Sequence, residues 1–378
     1  MPGRDILIFT NSLDTHACAV ERVLQIRGGN PIVINTAHLM VGESVSARYS
    51  EGCTKIRMGG FEGTSADVHS SWNRRFSKLF SLPENLHPAD RTFVRNNTQS
   101  TLTGFLGLID DRFPVNPLAS ARYSSNKLLQ LQAAKRANFL VPETLISNHI
   151  GDIRGFIDAV GDACVKPYHS HGWKTDDGVF QALTVRIGKD DVFDASAFEI
   201  SPHIYQEYVR KKEEYRVTIF GNFSAAVRID SQSLDDQSSV DWRSSPQYTS
   251  TLEPCELPPD VINSLKKVLV SLGLRFGTFD LARNADGEYV FFEVNEAGQW
   301  LWQEMHCPDC RILQPFSEFL HCASDDFSWE PSRRSRECDA VEVLKNLRSD
   351  PRFNGQSPDD YPDEEVHVSD ERVQNGDG

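Results

Sequence analysis

The sequence predicts an α/β protein of two or three packed subdomains, on three observations. The chain opens with a strand–helix–strand pattern broken only by short turns, as in a βαβ unit of a parallel sheet. A later β-rich stretch, from about residue 204 to 294, carries two tight hairpin signals. And 378 residues are too many for one small core.

The elements follow in order. Asp5–Phe9 (DILIF) is a short apolar run and reads as the first buried strand. A helix-like stretch covers Ala17–Ile26, Gly28-Gly29-Asn30-Pro31 breaks it, and Ile32–Asn35 reads as a second strand. His69–Phe76 (HSSWNRRF) closes this region, and residues 82–100 are polar and read as a loop leading into a helix. Two prolines within Phe113–Ser120 mark a boundary. Asn126–Ala134 has apolar residues at helical spacing, and Val141–Thr144 ends that unit.

Asp162–Lys166 is strand-like and leads into a polar, glycine-containing loop (HSHGWKTDDG), after which Ala182–Ile187 alternates like a strand. Ile204–Val209, Glu214–Phe220 and Ser224–Ile229 are strands, the last two joined at Gly221-Asn222. Pro258–Leu272 is an amphipathic helix stopped by Gly273. Phe276–Ala282 and Tyr289–Val294 form a second hairpin across Asn284–Gly287, and Ile312–Leu320 is a last helix. From Asp325 onward fifteen Asp/Glu face seven Lys/Arg, with few large apolar residues after Leu347. That composition predicts an acidic tail, mobile or partly helical.

Composition excludes several roles. Apolar content of 39% with 10% aromatics suits a soluble globular protein. No apolar run reaches the roughly 18 residues of a membrane span. The N-terminus lacks a basic segment followed by a long apolar one, so a cytoplasmic protein with reduced thiols and no membrane partner is expected. A net charge of −15 argues against a nucleic-acid partner. It leaves nucleotide binding open, because a few local cations suffice for that. Cys307-Pro-Asp-Cys310 is a lone CxxC, and His306 and Cys322 only suggest the second ligand pair that a zinc site needs.

The sharpest chemical signal is Asp280 with Glu293-Val-Asn295. Period-two alternation sets Glu293 and Asn295 on one face of a strand, and the hairpin brings Asp280 beside them from the end of its partner. Three hard oxygen donors so gathered suit Mg²⁺, which fills its remaining positions with water and phosphate. The competing reading is a solvated hairpin with acidic ends. Lys127 opens a helix after a polar loop, and Lys166 closes a strand. Facing carboxylates, such lysines are placed to neutralise phosphates, although a single Lys is ordinarily a surface charge. Tyr205–Val209, a strand running out into a polar linker, can offer backbone groups to an adenine ring. Arg74 and Arg75 read as structural ion pairs or as substrate contacts, and Trp300 and Trp302 as packing in preference to a substrate platform.

The order Lys127, Lys166, Gln206–Val209, Glu214/Arg216, Asp280, Glu293, Asn295 resembles the ATP-grasp superfamily. Within it the chain looks most like the ligases that mature microviridin-type (graspetide) ribosomal peptides. The matching segments are Trp72–Phe76, Asn126–Leu131, Val141–Thr144, Tyr205–Val217, Asp241–Arg243, Gly277–Asp280 and Phe292–Trp300. The loop after Lys166, with His169, His171 and Trp173, departs from the pattern, and Glu296-Ala297 stands where a proline is common.

The resemblance implies an N-terminal pre-grasp βαβ domain (1–115) and two α+β subdomains clamping ATP, a central one (116–202) and a C-terminal one (203–324), with the tail (325–378) outside it. Lys127 and Lys166 would contact the ATP phosphates, Gln206, Glu207 and Val209 the adenine, with Glu214 among the nucleotide contacts. Asp280, Glu293 and Asn295 would hold Mg²⁺, two ions in the family's manner. Lys166, Arg216 and Arg243 would serve the acyl-phosphate and the incoming carboxylate, a task that suits a guanidinium fork.

The lid would be His169–Gly178, and the surface around Phe180–Phe198 would dock a leader. The implied partner is a precursor peptide, a leader plus a core bearing Asp/Glu and Ser/Thr/Lys; the resemblance also allows a homodimer. The rival readings are an ATP-grasp ligase for free amino acids or protein termini, and a non-catalytic nucleotide-binding regulator.

Overall fold

A computed structural model describes residues 5–11, 14–37, 39, 44–75, 82, 86–109, 112–168, 172–175, 178–191, 198–353 and 366–367. Strand β1 (Asp5–Thr10), helix α1 (Thr15–Ile26) and strand β2 (Asn30–Asn35) form the expected βαβ unit, with Leu7 opposite Ile32 in a parallel pair. Asp14 starts α1 by accepting the Ala17 N–H at 2.8 Å, a side-chain cap for a donor the helix cannot satisfy. Strands β3 (Ser46–Ser50), β4 (Cys53–Met58) and β5 (Phe61–Gly63) make a small antiparallel sheet that composition did not announce.

Strand β6 (Val68–Asn73) pairs with the free side of β1, so HSSWNRRF supplies an interior strand. Residues read as loop and helix start belong largely to helix α2 (Pro88–Ile109), and strand β7 (Pro114–Val115) completes a parallel sheet of order β2-β1-β6-β7.

Helices α3 (Leu118–Ser124) and α4 (Lys127–Arg136) follow, then strand β8 (Thr144–Ser147), helix α5 (Ile150–Val160) and strand β9 (Asp162–Lys166). Strands β10 (Gly172–Thr175) and β11 (Gly178–Gln181) pair antiparallel, and β12 (Val185–Gly188) and β13 (His203–Glu207) come next. The sheet β12-β9-β13-β8 packs Ala163, Ile187 and Tyr205 against Ile153 and Ile157 of α5.

A second antiparallel sheet, β16-β15-β14-β17-β18, is built from β14 (Lys211–Phe220), β15 (Phe223–Ile229), β16 (Leu252–Cys255), β17 (Phe276–Asn284) and β18 (Tyr289–Asn295). Within this stretch lie helices α6 (Asp236–Val240) and α7 (Pro259–Leu272), and Gly273 ends α7 at φ +70°. Helices α8 (Leu301–His306), α9 (Leu313–Cys322) and α10 (Ala340–Leu347) follow, and strand β19 (Val366–His367) pairs parallel with β10.

Packing revises the expected boundaries in two places. Although α4 precedes the central sheet in the chain, its Leu131, Ala133 and Ala134 are buried with Val217, Phe279, Leu281 and Val294 of the C-terminal sheet. The cut at 116–202 therefore separates a helix from its own core. Nor is the segment from 325 an appendage throughout. Phe327, Cys338, Val343, Leu344 and Leu347 share one core with Val20 and Val23 of α1 and with Phe316 and Phe319 of α9. The apolar spacing of Ala340, Val343, Leu344 and Leu347 makes one helical face, which an overall acidic composition conceals. Cys307 and Cys310 are buried free thiols in that same core, and burial pushes both thiols up.

Candidate functional site

The central and C-terminal sheets face each other across a solvent-open cleft. It is lined by Lys166, Gln206, Glu207, Val209, Glu214, Arg243, Asp280 and Glu293 among others. Lys127, Arg216 and Asn295 adjoin these residues rather than lining the cleft.

On the C-terminal side, antiparallel register sets Arg216 opposite Asp280 and Asp280 opposite Glu293, while Asn295 lies one step along opposite Thr278. Asp280 lies in the middle of β17, not at a strand end as expected, because β17 runs on to the hairpin at Asn284. Arg216 Nη1 donates to both Asp280 oxygens at 2.9 Å, and its Nη2 donates to the Gly298 and Gln299 carbonyls. Lys127 Nζ meets Glu293 Oε2 at 2.8 Å. Asn295 Oδ1 accepts the Ala297 and Gly298 N–H groups and shapes the turn after β18. Glycine is required at 298, where φ is +94° and a Cβ would lie 2.6 Å from Phe276.

On the facing side, Lys166 Nζ donates to Gln206 Oε1 at 3.1 Å, and Gln206 Nε2 donates to Thr144. Glu207 and Tyr208 spend their N–H groups on the Glu143 and Asp162 carbonyls. Glu214 is nearly buried, held by Lys211 Nζ at 2.9 Å and by Ser231 Oγ at 2.6 Å. At the cleft's edge, Arg243 forks onto both Asp241 oxygens at 2.8–2.9 Å.

The electrostatics follow from burial opposed by charge. Lys127, then Lys166, hold the Glu293 carboxyl far below its usual range against the cost of burial. Burial raises Asp280, and Arg216 offsets only part of that rise. Burial likewise depresses Lys166, easing loss of its proton, and raises Glu214 despite Lys211. Burial would also raise Asp241, but the Arg243 hydrogen bonds and charge outweigh it and leave that carboxyl at about 2.

The donor set suits a hard divalent cation. Two carboxylates come from adjacent strands, each already attracting a cationic side chain, and the Asn295 amide oxygen beside them would have to give up an Ala297 or Gly298 N–H to join them. Among the described residues no group of three His, Cys, Asp or Glu is close enough to hold an ion by itself. A bound Mg²⁺ would thus rely on phosphate and water for its remaining ligands, as is usual for this ion.

Two side chains escaped the sequence reading because strand irregularities break period-two alternation. A bulge between Asp280 and Leu281 leaves Phe292 without a partner, so Phe292 and Glu293 line the cleft together. A second shift between Lys211 and Glu213 turns Lys211 inward beside Glu214. The proposed lid falls partly outside the described residues (169–171, 176–177), and its described part belongs to the β10–β11 hairpin. Of the leader dock, residues 192–197 lie outside them. Arg74 and Arg75 both pair with Asp14, and Trp300 is fully buried, as packing readings expect.

Comparison with known proteins adds independent findings. A family model described as the MvdD pre-ATP grasp domain matches residues 5–122. A curated relative, tetrahydromethanopterin:alpha-L-glutamate ligase of Methanocaldococcus jannaschii, is 24% identical over 267 residues, covering 66% of this chain and 86% of that protein. A Chryseobacterium gregarium RiPP-associated ATP-grasp ligase, solved with ADP and a leader and core peptide, superposes with a TM-score of 0.76. It is 23% identical, with 85% of this chain and 97% of that one covered. The macrocyclase MdnC of Microcystis aeruginosa MRC, bound to precursor peptide MdnA, gives a TM-score of 0.68 at 23% identity, with 84% and 98% covered.

Proposed function

We propose that this chain, an ATP-grasp fold behind a pre-grasp domain, is an ATP-dependent ligase that forms intramolecular ester or amide bonds in a ribosomally made precursor peptide. The single observation that carries a ligase reading is the cleft itself. Lys166 stands on one wall, and Asp280 and Glu293, flanked by Arg216 and Lys127, stand on the other. The peptide substrate is supported by likeness, over most of both chains, to folds solved with precursor peptides.

A carboxylate resists acyl transfer because its oxygen leaves poorly. In the proposed reaction an Asp or Glu carboxylate oxygen of the peptide attacks the γ-phosphorus of ATP and ADP departs. A Ser/Thr hydroxyl or Lys amine then attacks the acyl carbon, phosphate leaves, and the nucleophile's proton passes to solvent or a basic group. The protein's part is positioning and charge neutralisation. Asp280, Glu293 and Asn295 would hold Mg²⁺, which when bound supplies neutralisation of the phosphate oxygens.

Lys127 and Lys166 neutralise the phosphates from opposite walls. Gln206, Glu207 and Val209 border the adenine, and Glu214 with Lys211 closes the cleft floor. Arg243, already forked on Asp241, stands at the cleft's edge where an incoming carboxylate would pass. Arg216 holds Asp280 by both carboxylate oxygens, is itself fixed by the Gly298 and Gln299 carbonyls, and acts on the reacting groups from behind it.

A second reading, ligation of a free amino acid, is favoured by the curated relative, whose name describes glutamate ligation. Incubation with ATP, Mg²⁺, free amino acids including glutamate, and a precursor encoded beside this gene separates the two. Loss of one water per linkage from the peptide supports the first reading. Gain of an amino-acid residue supports the second, and ADP release without change in any acceptor removes both.

A further inference from the structure

We infer that Gln130 is a positioning residue that holds the metal-binding strand in register with the helix carrying Lys127. The inference rests on the proposed reading of the cleft and extends it to a residue outside the cleft. β18 is the edge strand of its sheet, yet Val294, between the proposed ligands Glu293 and Asn295, is fully buried. An edge backbone buried in this way needs partners that no neighbouring strand provides.

Gln130 supplies them. Its Oε1 accepts the Val294 N–H at 3.0 Å, and its Nε2 donates to the Val294 carbonyl at 2.9 Å. The side-chain amide thus takes the place of an adjoining strand. Nε2 also donates to the Ser124 carbonyl at 2.7 Å, tying in the last residue of α3, and Gln130 is itself fully buried.

Two further observations give this clamp a functional direction. Lys127 and Gln130 are three apart on α4, hence on one helix face, and they grip consecutive residues of β18, Glu293 and Val294. The same edge is pinned again where Phe291 N–H donates to the Leu140 carbonyl at 2.9 Å. The bulge residue Phe292 and the ligand Glu293 lie between the two pins. Without the Val294 pin, one end of the bulge is free, and Glu293, Asn295 and Lys127 lose their common reference.

Gln314 is a matched control. It too is buried and makes three bonds, to Glu318, the Arg333 carbonyl and the Ser335 N–H, on α9 and away from the cleft. ADP affinity of the full chain is measured by calorimetry with Mg²⁺ and with EDTA, below the melting temperature of every variant. Gln130→Met is expected to cut the Mg²⁺-dependent gain in affinity at least about tenfold, the cost of losing a group that supports metal ligands. Its affinity in EDTA should change little.

Gln314→Met should lower the melting temperature comparably while keeping the wild-type gain. A wild-type gain in Gln130→Met, or an equal loss in Gln314→Met, overturns the inference. Should Gln130→Met fail to fold, Gln130→Asn, too short to span both groups of Val294, is expected to lose several-fold of the gain, and its retention overturns the inference equally. Absence of any Mg²⁺-dependent gain in the wild type overturns the metal assignment, and the inference with it.

Discussion

At the scale of single residues, the site is a set of opposed charges whose pairing predicts what each substitution does. Glu293→Gln removes the negative charge that Lys127 and Lys166 face while keeping the shape of the side chain. Product formation should fall by about 100-fold or more, the size of effect seen when one electrostatic group is removed from a site, while the chain still folds, at a melting temperature lowered by loss of the Lys127 pair. Product formed at the wild-type rate would remove Glu293 from the metal site. Lys166→Ala deletes an ammonium whose neighbour in the structure is Gln206. ATP affinity by calorimetry should drop about tenfold, the worth of one charge-assisted contact; unchanged affinity would make this lysine a bystander.

The types of these residues and their order were legible in the sequence because charge and chain order are local properties. Phe292 and Lys211 were not, since a one-residue bulge reverses every side chain beyond it and leaves no compositional mark.

At the scale of elements, long periodic segments such as α7 and the two hairpins were readable, and polar or short ones were not. Helix α2 buries only Thr98, Leu102, Phe105, Leu106 and Ile109, none of them in its first ten residues, so its opening turns look like a loop in sequence. The small β3–β5 sheet went unread for a similar reason, having few buried positions, whereas α5, also unread, carries Ile153, Phe156, Ile157 and Val160 at helical spacing and was legible.

One element carries a pH prediction. Asp241 accepts from Arg243 and from the Thr184 N–H, fastening the turn after α6 to the segment before β12. Its folded-state carboxyl sits at about 2, below its ordinary value of 3.8. The unfolded chain therefore takes up the proton first as pH falls, so the stabilisation is whole above pH 4 and drains away between about 4 and 2. It amounts to something on the order of 2 kcal/mol. Melting temperature followed from pH 7 to 2.5 should be flat and then fall, with a shallower acid decline in Asp241→Asn; identical acid slopes would show the pair to be inert.

At the scale of the whole molecule, the last described helix shares one core with α1 near the start of the chain and with α9. A chain ending at Asp325 would bare the apolar faces of α1 and α9 that Phe327, Val343, Leu344 and Leu347 cover. It would also remove the Ala340 N–H from buried Glu304, which otherwise accepts only the Ile312 and Leu313 N–H groups among the hydrogen bonds described. Several buried side chains at about 1.5–3 kcal/mol each exceed the margin of an ordinary domain, so this chain should fail to fold. A chain ending at Phe353 keeps those contacts and should melt near the full-length temperature. A well-folded 1–325 product in circular dichroism and thermal melts would contradict the shared core.

The sequence by itself determined the class of fold, the identity of the polar groups and their succession along the chain, because propensity, periodicity and charge are written residue by residue. Only the tertiary structure decided that α4 packs on the C-terminal sheet and that residues 327–347 share a core with α1, α9 and that sheet's Phe220 and Phe276. The facing of Lys166 towards Asp280 and Glu293 across one cleft was decided there too. The physical reason is that burial is settled between distant segments, each covering apolar surface the other leaves exposed, and a single segment does not specify its partner.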